Sequence, residues 1–152
     1  MIVNTAYAYM GAAGPADPKL WGDGQVYVPY TLAGGATFNP NVGGAYGSYF
    51  ELPASTYGSE IPSVTLTINA KGYTKISMKA VYRSTYGGTI QFEFKKSGAT
   101  LGTVDLPADQ YVSVYQIDIP EGARTNKVDL IMRKKTNPSG SEVTFYQPGY
   151  ML

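Results

Sequence analysis

Apolar and polar residues alternate one for one along most of this chain, and each alternating run is cut short by turn-forming residues. Val64, Leu66 and Ile68 alternate with Thr65, Thr67 and Asn69. Ile76, Met78, Ala80 and Tyr82 alternate with Lys75, Ser77, Lys79 and Arg83, and Ile90, Phe92 and Phe94 alternate with Gln91, Glu93 and Lys95. A period of two puts the apolar set on one face of a strand and leaves the other face wet. Runs near 100–106, 111–119, 127–133 and 142–147 follow at similar spacing. Between them stand Lys71-Gly72, Gly87-Gly88, Ser97-Gly98, Pro107-Ala108-Asp109, Glu121-Gly122 and Asn137-Pro138-Ser139-Gly140. Such clusters supply the dihedral angles that tight turns need. No window keeps a helical period over ten residues. Short strands at regular intervals predict an all-β jelly-roll sandwich.

Residues 1–47 break this pattern. They hold nine of the eighteen glycines, four of the ten prolines and only three charged residues, Asp17, Lys19 and Asp23. They also hold Tyr7, Tyr9, Leu20, Trp21, Val26, Tyr27, Val28, Tyr30 and Phe38, too much apolar surface to leave in water. The composition predicts an extended Gly/Tyr-rich N-terminal arm over 1–47 and a β-sandwich domain over 48–152. Gln25–Tyr30 reads as a strand that Pro29 confines to an edge. The arm docks either on its own sandwich or on a neighbouring subunit. In the second case Tyr7, Tyr9, Trp21, Tyr27 and Tyr30 form the partner-binding surface, with Trp21 as the main anchor.

The residues that most often carry chemistry are missing. With no Cys and no His, the chain has no disulfide framework, thiolate or imidazole. Glu93 and Asp118 fall on wet strand positions, where carboxylates are ordinary. The spacing of Asp17 and Asp23 lacks the further acids of a calcium loop, and Gly43–Gly47 precedes a strand rather than a helix, so it is no phosphate loop. These absences predict no enzyme, no cofactor and no metal. The net charge of +1 gives no field toward nucleic acid, and Lys95-Lys96 and Arg133-Lys134-Lys135 form no stripe. There is no apolar run of membrane-spanning length.

The segment from Tyr73 to Leu152 resembles the galactose-binding-like jelly rolls, which include many carbohydrate-binding modules. The likeness lies in strand order: YTKISMKAVYR, a hairpin, LGTVDLP, the long strand YVSVYQIDIP, a Gly turn into EGARTNKVDLIM, and a closing VTFYQPGYM, with Ser48–Leu52 as the opening strand. The resemblance implies aromatic sugar platforms, for which Tyr82, Tyr86, Tyr115 and Tyr146 are the candidates. Calcium-bearing members have a pair of acids in the opening strand and one near the last. Here Glu51 stands alone and YQPGYML has none, which speaks against calcium. The chain as a whole is also similar in style to small structural proteins of tailed phages. That likeness implies a non-catalytic virion or decoration component, assembled in the host cytoplasm without a signal peptide. Its partners are then shell or tail proteins and other copies of the chain. The alternative is a carbohydrate-binding module or adhesin with a host glycan as partner. A carboxylate-based hydrolase is the third reading.

Overall fold

The computed structural model describes residues 18–54, 60–83, 89–107, 113–135 and 142–152, with backbone alone for 79–83 and 107. Among these residues twelve strands form two antiparallel sheets. They are β1 (Lys19–Gly22), β2 (Gln25–Val26), β3 (Tyr30–Ala33), β4 (Thr37–Asn39), β5 (Tyr49–Leu52), β6 (Ser63–Ile68), β7 (Lys75–Arg83), β8 (Thr89–Lys96), β9 (Ala99–Pro107), β10 (Ser113–Asp118), β11 (Val128–Lys134) and β12 (Glu142–Met151). A single 3-10 turn, Glu121–Ala123, is the only helical element among the described residues. One sheet has the order β3-β6-β11-β8-β9. The other runs β10-β7-β12-β1-β2, with β5 also on β12 and β4 on β5. The architecture is a jelly-roll β-sandwich.

The period-two pattern translates directly into the core. Val64, Leu66 and Ile68 of β6, Ile90, Phe92 and Phe94 of β8, and Val128, Leu130 and Met132 of β11 are buried. They face Phe50, Leu52, Ile76, Met78, Val143 and Phe145 from the other sheet, and Phe92 meets Phe145 edge-on at 6.1 Å. Lys134 takes the last inward position of β11. Its ammonium donates to the carbonyls of Pro53 and Ala54 at 2.7 and 3.3 Å. Burial pushes its pKa down, as expected for a charge taken out of water and held by neutral dipoles.

The arm expected over 1–47 is not separate from the sandwich within the described residues. Strands β1 and β2 extend the seven-stranded sheet, and β3 forms an edge of the other. The single strand expected at Gln25–Tyr30 is two. Pro29 has no N–H for a ladder, and at this point the chain leaves one sheet for the other. Leu20, Trp21 and Val28 are fully buried, and Trp21 packs edge-on against Phe50 at 5.4 Å. Across the ladder from Trp21 stands Gly149. A Cβ there would collide with the indole ring, so only glycine lets Trp21 lie against β12. The composition break at 47 therefore marks a turn before β5, not a domain boundary. Low charge and many glycines reflect tight turns between short strands. Trp21, the proposed partner anchor, is instead a core residue.

Candidate functional site

The site begins with the two-residue period of β5 and β12. Phe50 and Leu52 point inward, so Tyr49 and Glu51 point out. Val143 and Phe145 point inward, so Thr144 and Tyr146 point out. The register places Tyr146 opposite Tyr49 and Thr144 opposite Glu51. The two rings sit 5.4 Å apart at an interplanar angle of 62°. Tyr46, in the turn before β5 and 47% exposed, adds a third ring 5.1 Å from Tyr146. Next to Tyr49 on β4 is Asn39, whose Nδ2 donates to the Tyr49 hydroxyl at 3.0 Å. Three tyrosines thus form one cluster on the outer face of the seven-stranded sheet.

Polar groups flank the cluster. The half-buried carboxylate of Glu51 has no hydrogen-bond partner among the described residues. Burial, and then the neighbouring charge of Glu142, raises its pKa above the usual carboxylate value. Beside the cluster, β12 splits the edge it presents. Its first half pairs with β5 through Val143–Tyr146, and its last residues pair with β1. The register shifts in between, across Gln147 and Pro148, whose peptide bond is cis. Gln147 bridges this fork. Its Oε1 accepts from the Asp23 amide at 2.9 Å, the Ser48 amide at 3.2 Å and the Ser48 hydroxyl at 2.8 Å. In front of it lies an open cavity of about 320 Å³, lined by Asp23, Gly24, Pro40, Asn41, Val42, Gly43, Gly44, Gly47 and Gln147.

The outer face of the other sheet is chemically different. Several of its charged groups are paired across strands. Arg133 donates to Glu93 at 2.9 Å and to Gln91 at 2.7 Å, Thr100 donates to Glu93 at 2.5 Å, and Lys135 pairs with Asp105 at 2.6 Å. The Thr100 hydroxyl and then Arg133 hold the Glu93 carboxyl below its ordinary value, and Lys135 does the same for Asp105. The basic runs are absorbed as well: Lys134 is buried, and Lys96 is tied to the carbonyl and side chain of Asn126. No group of three or more Asp or Glu side chains among the described residues is placed to hold a metal ion.

Of the candidate tyrosines, Tyr146 alone is seen in the cluster. Tyr115 faces inward, opposite Met78, and packs on the core; the alternation of β10 dictates this, so it offers no platform. Tyr82 pairs with Val143 through its backbone, and its side chain lies outside the description. Tyr7, Tyr9 and Tyr86 lie outside the described residues. Tyr30, partly buried on the edge strand β3, packs on Phe50 and Phe38 at 5.9 and 6.4 Å. Tyr27 is half-buried and donates to Asp23 at 3.1 Å. Sequence reasoning missed Tyr46, Tyr49, Asn39 and Gln147. The alternation in Tyr49-Phe50-Glu51-Leu52 carried the signal for Tyr49. Nothing local marked Tyr46 or Gln147.

No model of a known protein family matches this sequence, and no curated protein matches it. Solved structures do. One is the family 11 carbohydrate-binding module from Clostridium thermocellum, in complex with a β-1,3-1,4-mixed-linked tetrasaccharide. Its TM-score is 0.56 at 15% identity, over 91% of this chain and 96% of that one. A variant of the family 29 module CBM29-2, complexed with cellulohexaose, gives 0.57 at 12% identity over 90% of each chain. The enzymatically active domain of tailspike protein 4 from bacteriophage CBA120 gives 0.55 at 15% identity, over 88% of this chain but 21% of that one. At these identities the likeness is one of fold.

Proposed function

We propose that this chain is a non-catalytic carbohydrate-binding module whose platform is the cluster Tyr46, Tyr49 and Tyr146. The observation that carries the reading is the convergence of three rings on one outer sheet face, beside side-chain amides and a carboxylate that has no hydrogen-bond partner among the described residues. A pyranose has an apolar face that stacks on an aromatic ring and equatorial hydroxyls that take hydrogen bonds from groups around it. The platform supplies the first, and Glu51, Asn39 and Gln147 supply the second. The ligands of similar folds support the choice: a mixed-linked tetrasaccharide, cellulohexaose and mannohexaose.

Titration calorimetry with those three oligosaccharides tests it. At least one should bind, and Tyr146→Ala and Tyr46→Ala should each weaken that binding about tenfold or more. Stacking on an aromatic ring is worth about 1–3 kcal/mol in the comparable case of nucleic-acid bases. The melting temperature should stay near that of the unsubstituted protein for Tyr46→Ala, whose ring is half exposed. Binding that survives both substitutions would show that the sugar lies elsewhere. Incubation with the same oligosaccharides should release no new reducing ends.

A second reading, attachment to a phage particle, draws on the tailspike likeness. Here the module would sit on a virion and present the same face outward. Co-sedimentation with purified particles, unaffected by Tyr146→Ala, is the expected result.

A further inference from the structure

The cavity at the fork between β1 and β5 is built from polar groups whose geometry is fixed before any ligand arrives. Gln147 spends its Oε1 on three protein donors, which turns its Nε2 away from them. Both Nε2 hydrogens lack a partner among the described residues. Gly47, at φ +73°, lets the backbone run directly against the Gln147 side chain, and a Cβ at this position would collide with it. The glutamine is therefore clamped on one side by hydrogen bonds and on the other by close packing. Asn41 is held in the opposite sense. Its Nδ2 donates to the Gly47 carbonyl at 2.9 Å, and its amide N–H donates to Asn39 Oδ1 at 2.9 Å. Its Oδ1 is left as an acceptor without a partner among the described residues. Asp23 completes the lining. One of its oxygens accepts from Lys19 at 2.7 Å and from Tyr27 at 3.1 Å, and the other is uncommitted among the described residues.

One donor group, one neutral acceptor and one carboxylate oxygen thus border a cavity of about 320 Å³, at the small end of ligand-site volumes. The lining contains no Lys or Arg. The cavity adjoins the tyrosine cluster through two short stretches of chain. Tyr46 stands between the lining residues Gly44 and Gly47, and Tyr146 immediately precedes Gln147.

The geometry points to a subsite that takes one neutral sugar residue of a glycan whose neighbouring residue stacks on Tyr46 and Tyr146. This rests on the glycan-binding reading above. Sugar hydroxyls both donate and accept, so they match a cavity offering both kinds of partner. A carboxylate-bearing sugar would bring a second negative charge beside Asp23, and the lining offers no cation to receive it. Lys19 is already paired to Asp23. Groups fixed in advance lose little freedom on binding, so each hydrogen bond counts more fully toward affinity.

The test is an NMR titration of the full chain, followed through the side-chain amide resonances of Gln147 and Asn41 and the ring resonances of Tyr46 and Tyr146. The probes are the mixed-linked tetrasaccharide, cellulohexaose, mannohexaose and, as the anionic counterpart, an oligogalacturonate of similar length. The expected result is that a neutral oligosaccharide shifts the amides and the rings along one binding curve, with the oligogalacturonate at least about tenfold weaker. Gln147→Glu keeps the accepting oxygen and the side-chain shape but replaces the donor by charge. It should weaken neutral binding about tenfold, the cost of roughly 1.4 kcal/mol. Asp23→Asn should narrow the preference against the oligogalacturonate. Ring shifts without amide shifts would overturn the subsite and leave the platform standing. Oligogalacturonate binding as tight as the neutral sugars would overturn the neutral specificity. Absence of any shift with every probe would overturn both the subsite and the platform.

Discussion

Tyr49 and Phe50 are adjacent aromatic residues with opposite fates, one on a wet platform and one fully buried. The strand pleat alone separates them. Glu51, one pleat further on, carries a conflict between stability and binding. Its raised pKa means that the folded state holds the Glu51 proton more tightly than the unfolded state does. The stability it contributes is therefore fully present at low pH and declines as pH rises through the raised value. Glu51→Gln should raise the melting temperature at pH 7, with the gain fading as pH falls below the wild-type carboxyl's titration. Calorimetric scans at pH 7 and pH 4 check this. The same substitution should weaken oligosaccharide binding if the carboxylate accepts a sugar hydroxyl. Gly149→Ala is the residue-scale test of the core. Its Cβ must displace the Trp21 ring, so the expected loss is about 1–3 kcal/mol, the usual cost of overpacking, read by denaturant unfolding. Trp21→Ala leaves a void and should cost about 3–5 kcal/mol.

At the scale of elements, the consequential device is the last strand. β12 holds β7 along one edge, and on the other it holds β5 first and β1 after the register shift. A single strand thus builds both the tyrosine cluster and the cavity beside it. The N-terminal strands are part of this frame. Removing residues 1–45 would delete β1 to β4, and with them the buried Leu20, Trp21, Val26 and Val28. Each such side chain stabilises by about 1.5–3 kcal/mol, and a domain's whole stability is about 5–15 kcal/mol. The truncated chain should therefore lack a cooperative unfolding transition. A soluble, sharply melting product would show that the sandwich stands without these strands.

The whole molecule should give a strand-dominated far-UV circular dichroism spectrum with little helical signal. Its acid response has a definite sign. The pKa of Glu93 is lowered by Thr100 and Arg133, that of Asp105 by Lys135 and that of Asp23 by Lys19. These groups contribute stability above their unfolded pKa values and lose it as pH falls through the depressed folded ones. Below about pH 4.5 the chain should become steadily less stable, with Glu51 opposing the trend. Arg133→Ala should flatten the part of that dependence due to Glu93. Because Arg133 and Glu93 are only partly exposed, the pair should be worth about 1 kcal/mol, the upper end for surface pairs.

Alternation was enough to place the inward residues of β6 and β8, because one buried face forces a two-residue register on the sequence itself. The turns followed from Gly, Pro, Asn and Asp, whose backbone preferences are local. The absence of His and Cys could be read without any fold. The role of residues 18–47 could not. Whether Trp21 lies in a partner's pocket or its own core depends on Gly149, 128 positions away, which gives the ring room. The fate of Tyr115 and Tyr146 was equally hidden, because similar alternation surrounds both and only the sheet packing says which face is covered. Gln147 reads as an ordinary polar residue in a closing strand. Its function as a clamp arises only where β1 and β5 meet on one edge of β12, since a site made from strands distant in sequence exists only once the sheets have closed.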